Sequence, residues 1–243
     1  MKVSAYMVSG HGREKSEDRI LACETILSKG CYEVHYANIP EGCFAIFDGV
    51  GGIAGGADAS SYAAEQMRWY GGSIQPESLQ TFLQQVGMNL YNGPKNATTA
   101  TGLYLEQGRA LLFHVGNTRM YAMNGEFLER ITEDQTTLAE AFAGQVITQN
   151  IRNSYGHEIT GCLGGMQPEL TDRLWVRDVT EFFAEAKTIL FTCDGIHDYV
   201  DAGMLGKMVK GEISMDQIVE IARKAGSDDD CSMMLLDMER NSQ

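Results

Sequence analysis

Phe44-Ala45-Ile46-Phe47-Asp48-Gly49 and Ile189-Leu190-Phe191-Thr192-Cys193-Asp194-Gly195 are two apolar runs that each end in Asp-Gly. A short run rich in β-branched and aromatic residues predicts a buried strand. An aspartate at the mouth of such a strand sits on a rigid element, and the glycine after it lets backbone or ligand approach closely. Two strands of this kind can aim two carboxylates at one point. Each Asp-Gly taken alone is an ordinary turn dipeptide, so the surroundings decide its meaning.

Outward from Asp48, strand character fills the first fifty residues, at 3–9, 18–26, 32–39 and 42–47. Two amphipathic helices follow. Ala59, Tyr62, Ala63, Gln66, Met67 and Tyr70 share one face, and Leu79, Phe82, Leu83, Val86 and Leu90 share another. Strands return at 98–105, 109–115, 118–123 and 126–130, with Asn124-Gly125 as a hairpin signal. A helical or mobile segment covers 138–149, strands recur at 174–179 and 188–193, and a third helix carries Met215, Ile218, Val219 and Ala222. The last strand spans 231–238. Runs of strands broken by helix pairs predict an α+β fold of stacked antiparallel sheets with helices outside.

At 243 residues and 44% hydrophobic content the chain can bury one sizeable core, and its 27 glycines and 4 prolines form no linker or low-complexity stretch. One domain over 1–243 is expected. A net charge of −14 argues against a nucleic-acid partner, which needs a basic face. The N-terminal residues lack a secretory pattern, and no segment has the roughly 18 apolar residues of a membrane span. A soluble, cytoplasmic monomer is expected. Six cysteines without C-x-x-C spacing predict reduced, mostly buried thiols.

Further acids flank predicted strands. Arg13 precedes Glu17 and Asp18, and Asp228-Asp229-Asp230 stand at the entrance to the last strand, where mutual repulsion calls for cations or solvent. Gly49, Gly51 and Ala54 fit a dinucleotide fingerprint, but Asp48 would put negative charge beside a pyrophosphate and βαβ alternation is missing. No cysteine has an arginine six residues on, and no G-x-x-x-x-G-K-[ST] loop occurs. The Asp228-x-Asp230 pair comes too late in the chain for an aspartyl-phosphate nucleophile, which would follow an early strand.

In order along the chain, these residues resemble the metal-dependent protein phosphatase family, also called protein phosphatase 2C, especially its bacterial members. Arg13 with Glu17-Asp18 matches its opening motif, and Asp48-Gly49-Val50-Gly51-Gly52 its Asp-Gly-x-Gly-Gly. Thr98-Thr99, Val115-Gly116-Asn117-Thr118-Arg119, Thr132-Glu133-Asp134-Gln135-Thr136 and Ile159-Thr160-Gly161-Cys162-Leu163-Gly164 are similar to later motifs. Asp194-Gly195 and Asp229-Asp230-Cys231-Ser232 close the series.

The resemblance implies a four-layer α-β-β-α sandwich and a serine/threonine protein phosphatase that hydrolyses phosphomonoesters with a water activated by two manganese or magnesium ions. It places Asp48, the Gly49 carbonyl, Asp194 and Asp229 as metal ligands, Glu17 and Asp18 as ligands through water, and Arg13 on the phosphate. Asp48 and Arg13 are thereby the catalytic residues. Oxygen donors suit these hard cations. Substrates would be phosphoserine or phosphothreonine proteins, opposing a serine/threonine kinase. The segment 138–157 resembles the family's variable flap and is where substrate choice would lie.

Three departures stand out. Val50 replaces a histidine found in many eukaryotic members. Asn117 replaces the aspartate that binds a third metal in bacterial relatives, which impairs that site. Asp230 replaces asparagine, which either tightens the metals or raises a neighbour's pKa. A catalytically weak relative acting as a regulatory binding module is the competing reading.

Overall fold

The computed structural model describes residues 1–50, 55–93, 96–146, 151, 155–156 and 158–238. In chain order they form β1 (Lys2–Val8), β2 (Arg19–Ala22), β3 (Thr25–Leu27), β4 (Gly30–His35) and β5 (Gly42–Phe47), then helices α1 (Gly56–Arg68) and α2 (Pro76–Asn92). There follow β6 (Ala97–Thr98), β7 (Ala100–Glu106), β8 (Arg109–Val115), β9 (Arg119–Asn124), β10 (Phe127–Arg130), α3 (Thr137–Ala141) and β11 (Leu163–Gly164). The chain ends with β12 (Trp175–Asp178), α4 (Thr180–Glu185), β13 (Thr188–Thr192), α5 (Asp194–His197), α6 (Ala202–Val209), α7 (Met215–Lys224) and β14 (Cys231–Asp237).

Two six-stranded sheets carry the fold, ordered β10-β9-β13-β14-β1-β4 and β12-β8-β7-β5-β2-β3. Pairing is antiparallel in both. The α+β expectation and its stacked sheets therefore hold. The first and last strands lie side by side, with Val3 opposite Leu236 and Val8 opposite Cys231.

Alternation along β5 shows why the run is continuously apolar. Phe44 and Ile46 point into the space between the sheets, where they pack with Val3, Phe191 and Met234. Cys43, Ala45 and Phe47 point the other way, against Ala59, Ala63 and Met67 of α1 and Leu79 and Leu83 of α2. A strand covered on both faces has no polar side to show. Leu190, Cys231 and Met233 of the second sheet likewise face Ile196, Leu205, Ile218 and Ala222 of α5, α6 and α7. The result is three apolar seams between four layers. Each fully buried large side chain in them contributes about 1.5–3 kcal/mol.

Three readings need correction. The stretch read as one strand over 18–26 is a hairpin, β2 and β3, turning at Cys23 with φ 59°. The turn lacks the usual glycine or asparagine, and Cys23 adopts the left-handed conformation itself. The 98–105 strand begins earlier and is interrupted at Thr99, between β6 and β7. The segment read as helical or mobile at 138–149 opens with one short helix, α3, with Thr136 Oγ1 accepting the Ala139 N–H at 3.1 Å. The last part of that segment, 147–149, lies outside the described residues.

Helices α4, α5 and α6 were not anticipated, because each is too short to show a helical period. The described cysteines are free thiols, four of them buried. Among the described residues no helix is long and apolar enough to cross a membrane.

Candidate active site

Strand ends from both sheets meet at one end of the sandwich. Asp18 immediately precedes β2, whose Arg19 pairs with Phe47 of β5, so Asp18 and Asp48 leave neighbouring strands side by side. Thr192 of β13 pairs with Met233 of β14, which brings Asp194 and the Asp229-Asp230 turn to the same edge of the other sheet.

Asp48 is held by its main chain. Its carbonyl accepts the Thr99 N–H at 2.8 Å and the Thr98 hydroxyl at 2.9 Å. Its N–H donates to Thr99 Oγ1 at 3.3 Å, and that hydroxyl lies 2.6 Å from Thr118 Oγ1. The two glycines after the aspartates are spaces for backbone. A Cβ on Gly49 would lie 2.5 Å from the Gly56 carbonyl and 2.8 Å from the Glu17 carbonyl, and one on Gly195 would collide with the Asp230 carbonyl.

The carboxylates crowd one another. Asp18 is 1% exposed and its Oδ2 accepts the Ser232 hydroxyl at 2.6 Å. Desolvation, then repulsion from Asp230 with smaller parts from Asp194 and Asp229, pushes its carboxyl up to about 8 against the pull of Ser232. Asp48 is half-buried. Desolvation raises its carboxyl well above the usual range, with further contributions from the charges of Asp18, Asp194 and Asp229. The same crowding favours the neutral form of both carboxyls when no cation offsets their charge.

N–H donors meet the other acids. Arg13 Nη1 lies 3.1 Å from Glu17 Oε2, 3.1 Å from Asp229 Oδ1 and 3.4 Å from Asp230 Oδ2. Asn117 Nδ2 donates to Asp194 Oδ2 at 3.0 Å. All the residues singled out from sequence, Arg13, Glu17, Asp18, Asp48, Gly49, Asp194 and Asp229, thus belong to one neighbourhood. Gly51 and Gly52 lie outside the described residues.

Two contributors were not foreseen in these roles. Asp230 is 3% exposed and accepts backbone N–H groups from the N-terminal loop. Gln135 braces the turn before Asn117, its Oε1 accepting the Gly116 N–H and its Nε2 donating to the Arg173 carbonyl, both at 3.0 Å. Nothing in local spacing marks either, since their partners are distant in the chain. His114 is fully buried, bonded to Thr101 and the Glu133 carbonyl, and desolvation lowers it to about 4.

Among the described residues no group of three or more His, Cys, Asp or Glu side chains is arranged to hold a metal ion. The donor chemistry nonetheless fits hard cations: crowded carboxylates that want counter-charge, met by the Arg13 guanidinium and the Asn117 N–H. Beside Asn117 a cavity of about 330 Å³ opens between Arg119, Asp134, Asp198 and the α3 segment, including Leu138 and Phe142. The flap residues 147–150, 152–154 and 157 lie outside the described residues.

No protein-family model matches this sequence, and no curated protein matches it. Solved structures do match, along nearly the whole chain. A bacterial serine phosphatase superposes with a TM-score of 0.71 at 20% identity, covering 99% of both chains. Serine/threonine phosphatase Stp1 from Staphylococcus aureus gives 0.71 at 20% identity, over 98% of this chain and 95% of that one. The PPM Ser-Thr phosphatase MsPP from Mycobacterium smegmatis, in complex with cacodylate, gives 0.70 at 20% identity over 97% of each. The fold is that of the bacterial PPM serine/threonine phosphatases. In this phosphatase fold the four layers are scaffold, and the acidic cluster sits where strands of both central sheets end together.

Proposed function

We propose that this chain is a serine/threonine protein phosphatase, a phosphoric monoester hydrolase whose acidic cluster holds two manganese or magnesium ions. The observation that carries this reading is the meeting of Asp18, Asp48, Asp194 and Asp229, from four distant segments, so closely that burial and mutual repulsion raise the carboxyls of Asp18 and Asp48. Such crowding is costly without counter-charge. The phosphatase fold supports the same reading.

Asp48, the Gly49 carbonyl, Asp194 and Asp229 would hold the ions directly, and Glu17 and Asp18 through water. Cations bound there supply Lewis-acid charge to phosphoryl oxygens and lower the pKa of a bound water. Cation binding would favour the ionised forms of Asp18 and Asp48, and would compete with the Asn117 contact of Asp194 and the Arg13 contact of Asp229. Released from Asp229, Arg13 presents a planar fork of donors to the phosphate oxygens, which orients the substrate and offsets negative charge as it develops. Asn117 brings no carboxylate for a third ion. Val50 offers no acidic proton to the leaving group, so water or another group supplies it.

The substrates are phosphoserine or phosphothreonine proteins in the cytoplasm, set against a serine/threonine kinase, with the cavity beside Asn117 receiving residues next to the phosphorylated one. The enzyme acts as a monomer of one domain. Purified protein with manganese is expected to hydrolyse a phosphothreonine peptide, and Asp48→Asn to abolish it. Absence of metal-dependent turnover on every phosphoester tried would instead support a regulatory binding module, the reading that the Asn117 contact with Asp194 favours.

A further inference from the structure

Asp230 stands one residue after Asp229, where the family resemblance places an asparagine. Its Oδ1 accepts the Gly10 N–H at 2.6 Å, and its Oδ2 accepts the Glu17 N–H at 2.6 Å and lies 3.4 Å from Arg13 Nη1. One buried carboxylate therefore closes both ends of the loop from which Arg13 projects. Nearby bonds tighten it further: the His11 N–H donates to the Asp228 carbonyl at 2.9 Å, and the Arg13 N–H to the Gly10 carbonyl at 3.1 Å. The loop lies flat on the Asp228-Asp229 backbone, since a Cβ on Gly10 would come within 2.7 Å of the Asp228 carbonyl.

The residue type matters here. Asparagine has one acceptor oxygen and an NH2 group, so either way its amide is turned, one backbone N–H would face another donor. Aspartate accepts both, in short charge-assisted bonds. Its charge is a burden on the rest of the cluster, being the largest electrostatic contributor to the raised carboxyl of Asp18. A charge that disfavours its neighbours needs a local use, and two main-chain N–H groups and a guanidinium provide one.

We propose that Asp230 is the positioning residue for Arg13, fixing the 10–17 loop so that the guanidinium stands ready for a phosphate group. The inference rests on the reading of Arg13 as the phosphate-binding residue. Asp230 itself touches neither phosphate nor the leaving group.

Inorganic phosphate serves as the probe, as a competitive inhibitor of p-nitrophenyl phosphate hydrolysis by the manganese-loaded protein. Asp230→Asn is expected to weaken phosphate inhibition about tenfold and to raise KM more than it lowers kcat. The Arg13→Ala/Asp230→Asn double variant is expected to match Arg13→Ala within about twofold, because Asp230 acts through the arginine. Amide hydrogen exchange supplies a second readout. The Gly10 and Glu17 amides are expected to be strongly protected in the wild-type protein and about tenfold or more faster in Asp230→Asn.

Multiplicative effects in the double variant, or unprotected Gly10 and Glu17 amides in the wild type, overturn the positioning role while leaving the phosphatase reading intact. Wild-type protein that neither binds phosphate nor hydrolyses any phosphoester overturns both.

Discussion

Asn117 reaches across 77 residues of sequence to donate a hydrogen bond to Asp194, Nδ2 to Oδ2 at 3.0 Å. An aspartate at 117 would set a second carboxylate against Asp194 with no cation between them. Without divalent ions, Asn117→Asp is therefore expected to destabilise the protein by about 1–2 kcal/mol. Manganese should restore more stability to the variant than to the wild type. Thermal melts in chelator and in manganese test this, and a variant that melts no lower than wild type in chelator contradicts it.

Asp18 gives the metal-free protein a distinctive pH dependence. Its carboxyl, near about 3.9 in an unfolded chain, is pushed up to about 8 in the fold. Between those values the folded protein holds a proton that the unfolded chain has released. The contribution is thus fully present below about pH 4 and is lost as pH climbs through about 8, at up to about 1.4 kcal/mol per pH unit. Melting temperature in chelator should fall between pH 5 and pH 8, and Asp18→Asn should flatten that slope. Equal slopes in the two proteins would remove Asp18 from the account.

Much of this was legible in the sequence because the informative segments are strands whose two faces are both buried. The run from Phe44 to Phe47 announces itself by being apolar throughout, and the acid that follows is forced to the strand's mouth. The same holds for Ile189 to Thr192. What escaped notice depends on partners far away in the chain. Cys23 turns a hairpin with no turn residue to mark it, and α5 is four residues long, below any helical period. Asp230 stood out as a charge in place of asparagine, but its contacts with Gly10 and Glu17, more than two hundred residues upstream, did not. Spacing along the chain carries no trace of such a contact.

Gly49 and Gly195 are required by close approach of backbone, and their replacement should show it. Gly49→Ala would press a Cβ on the Gly56 and Glu17 carbonyls, neither of which is the end of a flexible side chain. Overpacking of this kind costs about 1–3 kcal/mol and would disturb the Thr98 and Thr99 bonds that hold the Asp48 backbone. The variant should lose stability by chemical denaturation and lose most hydrolysis of a phosphothreonine peptide. Wild-type stability in Gly49→Ala would mean that the loop after Asp48 yields more easily than its packing implies.

Arg119 and Asp134 form a two-pronged ion pair at the mouth of the cavity beside Asn117, Nε to Oδ1 at 2.8 Å and Nη2 to Oδ2 at 2.5 Å. Both side chains are largely buried, at 17% and 12% exposure. Arg119→Ala would strand Asp134 with only the more exposed Arg130, 3.4 Å away, to offset its charge. The cost should be about 2–4 kcal/mol, toward the range for breaking a buried pair, with Arg130 moderating it. Arg119→Lys keeps the charge but cannot make both bonds from one planar group, so it should fall between the two. Asp134→Asn in the Arg119→Ala background removes the stranded charge and should recover part of the loss. A double variant no more stable than Arg119→Ala, by urea denaturation, would place the cost in lost packing of the arginine's stem, not in its charge.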